Sequence, residues 1–570
     1  MVTMKGRNKK IQSLIQLALF IGVMLFANII GNYFYTSFDL TEEKRFTLTK
    51  ATKNTLEGLK DEITVRVFLE GEFPAGIQRL RSSIEEMLKD FRGVSPRINF
   101  TFDNPTDGTV EEVNSRKEQL ASVGINPSSL KVPGVDEVKT ILFYPWALVN
   151  YGERQIAVNF LENSGLGRID DVTINNSIGL LEYNLANAIQ KLVLFRRPTI
   201  LFSQGHDELN ARQTADLRKD LSAFYETGMV SLDSVVAISP KINLLVVARP
   251  MAEFSEQDKF KIDQYVMGGG KVLWFIDRMG ITMDSLAVRP NFIPSDVPLN
   301  LEDLFFKYGV RIQPNLLLDL ECTRIPLISG KLGSGNQYEA FPWYYHPLVA
   351  PKSNHPIVKS LDRVNLFFPS SIDLVKTKTD VKQTVLLETS EKTRMQYSPV
   401  TVNFDQLRYK ADPAKFNKGS KPVAVLVEGE FPSLYENRVT DQMQEGLNAI
   451  NLSFQSKSKD TKMIVVSDGD LPKNLYDPDN ENYQPLGFNR YEKHIFKGNK
   501  NFVINCIEYL LDDQGVIEAR GKDIKLRMLD RQRISQEQTY WQFLNVAMPL
   551  ILLAVFGFGF NFWRRRKYTK

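Results

Sequence analysis

The apolar positions of this chain fall into two regimes. Ile11–Phe38 and Trp541–Trp563 contain no Asp, Glu, Lys or Arg and show no polar face. Between them, apolar residues recur at the short periods of soluble helices and strands. A hydrocarbon core about 30 Å thick needs about 20 apolar residues at ~1.5 Å rise each, so both segments are predicted to span a membrane. Tyr33, Phe34, Tyr35 and Phe38 flank one, and Tyr540, Trp541, Phe562 and Trp563 the other, where amphipathic rings favour the headgroup layer. Pro549 inside the second is a tolerated kink. The first is too long for a signal peptide and lacks a small-x-small cleavage site before Phe38, so it reads as a signal anchor.

The intervening pattern predicts two α/β bodies. Thr49 caps a helix from Ala51 to Leu59, and Ile63–Leu69 alternates as a strand. Leu80, Ile84, Met87, Leu88 and Phe91 share one face of a helix over Ile77–Phe91, and Ile98–Phe102 is a second strand. Val138–Tyr144, Ala147–Val149 and Ile156–Phe160 read as a closing hairpin, and Ile178–Leu194 as a helix leading out. Thr199–Ser203 then begins a β-α-β-α-β alternation. Its parts are a helix near Arg212–Tyr225, a doubly buried strand Ile242–Ala248, a helix capped by Ser255 and a strand Lys271–Ile276. Near-continuous apolar strands imply a parallel sheet covered on both faces. Leu301–Tyr308 reads as a helix closed by Gly309. Residues 314–369 read as loop-rich, with an aromatic run Phe341–Tyr345 suited to core, pocket or partner surface. Val381–Leu387, Val423–Val427 and Met463–Val466 are further apolar runs. Glu70–Pro74 and Glu428–Pro432 share the sequence Glu-Gly-Glu-Phe-Pro, either equivalent strand ends or coincidence.

Charge sets the orientation. The formal net charge is +4, and Lys5, Arg7, Lys9, Lys10, Arg564, Arg565, Arg566, Lys567 and Lys570 flank the spans without one acid. Positive flanks place both tips in the cytoplasm and the body in the periplasm. Residues 39–540 are then net acidic, which argues against nucleic-acid binding. Cys322 and Cys506 cannot make a disulfide framework, though a periplasm permits one bridge. Cys506 shares a helical face with Phe502, Val503, Ile507 and Leu510 and reads as core.

The chemistry-bearing motifs are sparse. Gly268-Gly269-Gly270-Lys271 lies between a helix and a strand, the reverse of a phosphate-binding loop, and no G-x-x-x-x-G-K-[ST] is present. Asp477–Glu481 begins like a calcium loop but lacks its later glycine and glutamate. His206, His346, His355 and His494 form no H-x-x-x-H pair, so no metal or cofactor is expected from spacing. No G-x-S-x-G elbow exists. What remains is Gln204, Gly205, His206, Asp207 and Glu208 after the first strand of the second body, where an open sheet exposes its ligand crevice.

Several short segments, in order, carry a resemblance. They are Arg45–Thr49, Phe73-Pro74, Gly205–Glu208, Gly268–Lys271, Asn354–Ile357, Gly429–Ser433, Gly498-Asn499 and Asn505. On these the chain resembles the gliding-motility-associated ABC-transporter auxiliary family, GldG, and the wider family of auxiliary proteins of ABC-type transport systems. That family's Gly-His-Gly-Glu reads Gly-His-Asp-Glu here. The resemblance implies a polytopic ABC permease and a separate cytoplasmic ATPase as partners, possible contact with other envelope or secretion components, and a role in gliding.

The expected organisation is a cytoplasmic tip (1–10), a first span (11–38), an N-terminal α/β periplasmic unit (39–195) and a main open parallel-sheet α/β region (196–515). A stalk (516–540), a second span (541–563) and a cytoplasmic tip (564–570) follow. The expected function is that of a non-enzymatic auxiliary subunit of an inner-membrane ABC transporter, embedded in membrane lipid and binding no nucleic acid. The alternative is a membrane-anchored periplasmic hydrolase or amidase, which needs an intact nucleophile beside a base.

Overall fold

The computed structural model describes residues 15–26, 47–133, 138–161, 169–332, 335–377, 379, 381–409, 411–449, 452–477, 482–521 and 531–568. It resolves into a body up to Lys522 and a C-terminal unit from Asp523.

The N-terminal part is a four-stranded sheet with helices. Thr49 caps α1 (Lys50–Glu57) by accepting the Thr52 N–H. There follow β1 (Ile63–Val67), α2 (Ala75–Val94), β2 (Ile98–Phe102), α3 (Val110–Ser122), β3 (Ser128–Pro133), β4 (Val138–Phe143), β5 (Trp146–Tyr151), β6 (Arg154–Asn159), α4 (Asp171–Gly179) and α5 (Leu181–Val193). The sheet order is β2-β1-β5-β6, with β3 and β4 a separate ribbon. On α2, Ile77, Leu80, Ile84, Leu88 and Phe91 are buried, one apolar stripe at helical spacing.

The larger sheet has seven strands. These are β7 (Thr199–Gln204), β8 (Glu226–Ser231), β9 (Leu244–Ala248), β10 (Lys271–Phe275), and later β14 (Lys382–Glu388), β16 (Pro422–Gly429) and β17 (Thr461–Val466). Between them come β11 (Asn315–Asp319), the hairpin β12 (Cys322–Leu332) and β13 (Gly335–Val349), and β15 (Thr393–Tyr397), which pairs with β11. The sheet order is β14-β16-β17-β10-β9-β7-β8. The five strands from β17 to β8 run parallel, while β16 is antiparallel to both β17 and β14. The sheet is therefore mixed, not all-parallel as the sequence suggested. A doubly buried strand reads as an apolar run whichever way it points, so its direction was invisible.

Successive strand residues supply opposite cores. Leu244, Val246, Leu273 and Phe275 pack with helix α6 (Ala215–Ser222) and helix α9 (Lys497–Leu511). Leu245, Val247, Val272 and Trp274 pack with α7 (Glu256–Met267) and α8 (Glu302–Lys307). Cys506 is buried on α9, and both cysteines are free. Trp343 and Tyr345 are core residues of β13, and residues 314–369, expected as loops, hold β11, β12 and β13. The chain after α9 returns to the N-terminal core, where Val516, Ile517 and Ala519 are buried with Leu181 and Leu185 of α5.

The C-terminal unit contains the helix Arg531–Tyr568. Within it, Glu537–Arg566 is long and apolar enough to cross a membrane and has no buried window. The first predicted span is described only as the shorter apolar helix Ile15–Phe26, and its remainder lies outside the described residues, as do residues 522–530 of the stalk.

Candidate functional site

The order β8-β7-β9-β10-β17 makes the chain leave β7 for one side, then cross back to the other. In such sheets the ligand crevice lies at the carboxyl ends of the two strands where the order reverses. Here those are β7 and β9, so the structure places Gln204–Glu208 at the reversal point.

The turn is closed by its own backbone. Gly205 has φ +117° and Asp207 φ +56°. Asp207 thus holds the left-handed conformation that glycine would supply, which Asp tolerates better than most residues. Gly205 and Asp207 are exposed, whereas Ser203, His206 and Glu208 are buried. The His206 carbonyl accepts the N–H groups of Met251 and Ala252. Its ring stacks on Phe254 with centroids 3.7 Å apart and planes at 9°. The Glu208 carboxylate accepts from Ser203 Oγ at 2.8 Å and from the His206 N–H at 2.7 Å. Gln204 Nε2 donates to the Leu209 carbonyl.

Burial alone would lower the His206 pKa, but the carboxylates of Glu208, Asp258 and Asp233 raise it above its ordinary value. Burial would raise Glu208, yet His206, the backbone and Ser203 hold it low. The Ser203 hydroxyl is buried and donates to the buried Glu208 carboxylate, so it is held inside the turn rather than presented on its surface as a nucleophile would be.

A second group of residues occupies the next strand ends. Arg249 follows β9, Asp277 lies just beyond β10, and Asp468 and Asp470 follow β17. Arg249 Nε lies 2.8 Å from Asp277 Oδ2 and 3.3 Å from Asp470 Oδ1. Asp277 Oδ1 accepts the Gly469 N–H, and Asp468 accepts those of Phe367 and Asp470. Burial and then Asp470 push the Asp277 carboxyl up to about 6. Burial and then Asp277 push Asp468 far above the usual carboxylate range. Burial opposes the charge on Arg249, but Asp470 and Asp277 more than restore it. Asp277 and Asp468 are buried beside the Arg249 guanidinium, while the half-buried Asp470 also meets Lys473 Nζ at 3.3 Å. Beside it is a pocket of about 90 Å³ whose polar lining includes Asp284, Asp470, Lys473 and Arg490. The sequence carried a signal for this cluster that spacing rules do not use: each buried apolar run ends in a charged residue, as in Val-Val-Ala-Arg and Trp-Phe-Ile-Asp.

A larger cleft of about 1010 Å³ separates the N-terminal part from the main sheet, lined by Lys191, Arg196, Lys271, Glu508 and Asp513 among others. Trp343, Tyr344 and Tyr345 line neither of these two cavities.

Comparison with known proteins gives the following. A family profile described as ABC-type uncharacterized transport system matches residues 197–506, more than half of the chain. A profile for a domain of unknown function matches residues 42–150. An uncharacterized protein of Borreliella burgdorferi is 22% identical over 464 residues, covering 79% of this chain and 84% of the relative. Among solved structures, the IFT52 N-terminal domain aligns at TM-score 0.30 and 12% identity, over 55% of this chain and 96% of that one. An exo-beta-1,4-mannosidase of Opitutaceae bacterium strain TAV5 aligns at TM-score 0.20 and 10% identity, over 69% and 46%.

Proposed function

This chain belongs to the family of ABC-type uncharacterized transport system auxiliary proteins, and from that premise we propose that it is a non-enzymatic auxiliary subunit of an inner-membrane ABC transporter. The observation that carries the reading is an apolar helix, Glu537–Arg566, long enough to cross a membrane and without a buried window, on the same chain as the α/β body. In this reading Ile11–Phe38 is a second span, both tips are cytoplasmic and the body stands in the periplasm. A polytopic permease contacts the spans, and a separate ATPase acts from the cytoplasm. The body receives cargo, scaffolds envelope components or transmits motion, and gliding is the process that the sequence resemblance favours. The burial of the Ser203 hydroxyl against Glu208 supports this over the hydrolase alternative.

The test is a mild-detergent pull-down of the tagged full-length chain with mass spectrometry of what co-purifies. The expected result is a permease and an ATPase, both lost when residues 541–563 are replaced by an unrelated span. Recovery of the chain alone would overturn the reading.

A further inference from the structure

We propose that His206, Asp233 and Asp258 form a binding site for one divalent first-row transition-metal ion, of the Zn²⁺ or Mn²⁺ class, at the β7/β9 reversal point. The three residues come from separate elements: the turn after β7, the single helical turn after β8, and the first turn of α7. Each offers one ligand atom, and these atoms lie within 4.8 Å of one another. No sequence spacing joins them, so histidine-pair patterns could not find them.

Four observations converge on an ion. His206 Nε2 lies 3.4 Å from Asp258 Oδ2. A charged hydrogen bond would close to about 2.7–2.9 Å. Two ligands on one tetrahedral metal at about 2.0–2.1 Å are instead separated by about 3.4 Å. The second observation is the other ring nitrogen. The ring is 3% exposed and its Nδ1 finds no hydrogen-bond partner. Nδ1 lies 3.7 Å from Glu208 Oε1, and Glu208 is itself fixed by Ser203 and the backbone. A metal on Nε2 places the proton on Nδ1, facing that carboxylate, the arrangement by which metal-bound imidazoles are oriented.

Asp258 is aligned in the same way. Its Oδ1 accepts from Lys261 Nζ at 2.7 Å and its Oδ2 from Ser255 Oγ at 2.6 Å, leaving Oδ2 a free lone pair toward the ring. Finally, a Cβ on Gly205 would come 2.8 Å from Asp233 Oδ2, so glycine leaves that carboxylate its place. The charges also close. An ion of charge +2 with Lys261 balances Asp233, Asp258 and Glu208. The positive end of α7 opposes a cation, and Asp258 in its first turn counters it. An imidazole among carboxylates suits zinc or manganese, whereas calcium and magnesium take oxygen alone. Asp233 is exposed, so the site opens to solvent on its side. Bound there, the ion ties three elements together where the sheet reverses its order, whichever partner the body meets.

The experiment uses the full-length chain in mild detergent, stripped with chelator. It is dialysed against Zn²⁺ or Mn²⁺, with elemental analysis and X-ray absorption of the loaded protein. One ion per chain is expected, with one imidazole and only nitrogen and oxygen neighbours. Asp233→Asn, at an exposed position, should weaken binding at least ten-fold without changing the fold. His206→Gln should do the same, and Glu208→Gln should weaken it about 10- to 100-fold. Cys322→Ser should leave affinity unchanged. No stoichiometric ion at micromolar free metal, sulfur in the first shell, or affinity unaltered by Asp233→Asn would each overturn the site. None of these readouts involves the transporter pull-down, so the two readings fail separately.

Discussion

At the scale of single residues, burial and backbone angle decide what can be changed. His346 is fully buried among Trp343, Phe367 and Phe368, and neither ring nitrogen has a hydrogen-bond partner. Burial, then Arg490, pushes its pKa down to about 3, whereas an unfolded histidine titrates near 6.5. A depressed value means the stabilisation is present above about 6.5 and is lost as pH falls toward 3. Within that window the loss runs at about 1.4 kcal/mol per pH unit. His346→Leu removes this term, so its urea midpoint should fall less than the wild type's between pH 7 and pH 4.5. Equal falls in both proteins would refute the assignment. The reversal-point turn gives a second expectation. Gly205→Ala forces a left-handed β-carbon against Asp233 and should cost about 1–3 kcal/mol. Asp207→Gly relaxes a non-glycine residue at φ +56° and should be neutral or stabilising by up to about 1 kcal/mol. Thermal melts of the two variants should move in different directions, and parallel losses would count against the strain argument.

At the scale of elements, legibility followed burial. Helices with one apolar stripe, such as α2 and α5, were readable, as were β9 and β10, whose runs are apolar throughout. Strand β8, Glu-Thr-Gly-Met-Val-Ser, was not, because an edge strand half open to solvent has no apolar run to show. The hairpin β12–β13 was hidden for a related reason: residues 335–340 are exposed on both faces, so no alternation marks them as strand. The candidate turn after β7 was located from order alone, but its partners were not. Asp233, Asp258, Arg249, Asp277, Asp468 and Asp470 come together only once the strand order is known. The turn Val516–Gly521 was read as the start of a stalk, yet Val516, Ile517 and Ala519 fill the N-terminal core. Ile517→Ala should therefore cost about 2–5 kcal/mol. Hydrogen exchange should show protection falling first in α1 and α5, which this turn contacts. A loss confined to residues C-terminal of Ile517 would mean that the turn merely leads into the stalk.

At the scale of the whole body, the N-terminal part and the main sheet are joined across the large cleft by few but deeply buried polar groups. Glu508 on α9 lies 2.5 Å from Lys191 Nζ on α5 and also meets Tyr183 and Asn187 of that helix. The Glu508 and Lys191 side chains are each nearly nine-tenths buried. Burial alone would raise the Glu508 carboxyl, but Lys191, Tyr183 and Arg520 hold it below its ordinary value. The sign follows: its contribution is present above the ordinary glutamate range and is lost as pH falls through the lowered native pKa. Replacing a buried ion pair as a unit is often harmless, whereas removing one member strands the other and costs about 3–5 kcal/mol. Glu508→Gln strands Lys191 and keeps the shape, so it loosens the junction while leaving both hydrophobic cores intact. Calorimetry of the full-length protein should then show the N-terminal part melting ahead of the main sheet. Glu508→Leu combined with Lys191→Met should bring the two transitions back together. If Glu508→Gln unfolds in one step at the wild-type temperature, the two parts are coupled by apolar packing, and the cleft is a passive gap. If it splits the melt, the pair sets how rigidly the N-terminal part follows the main sheet, which a body that transmits motion would require.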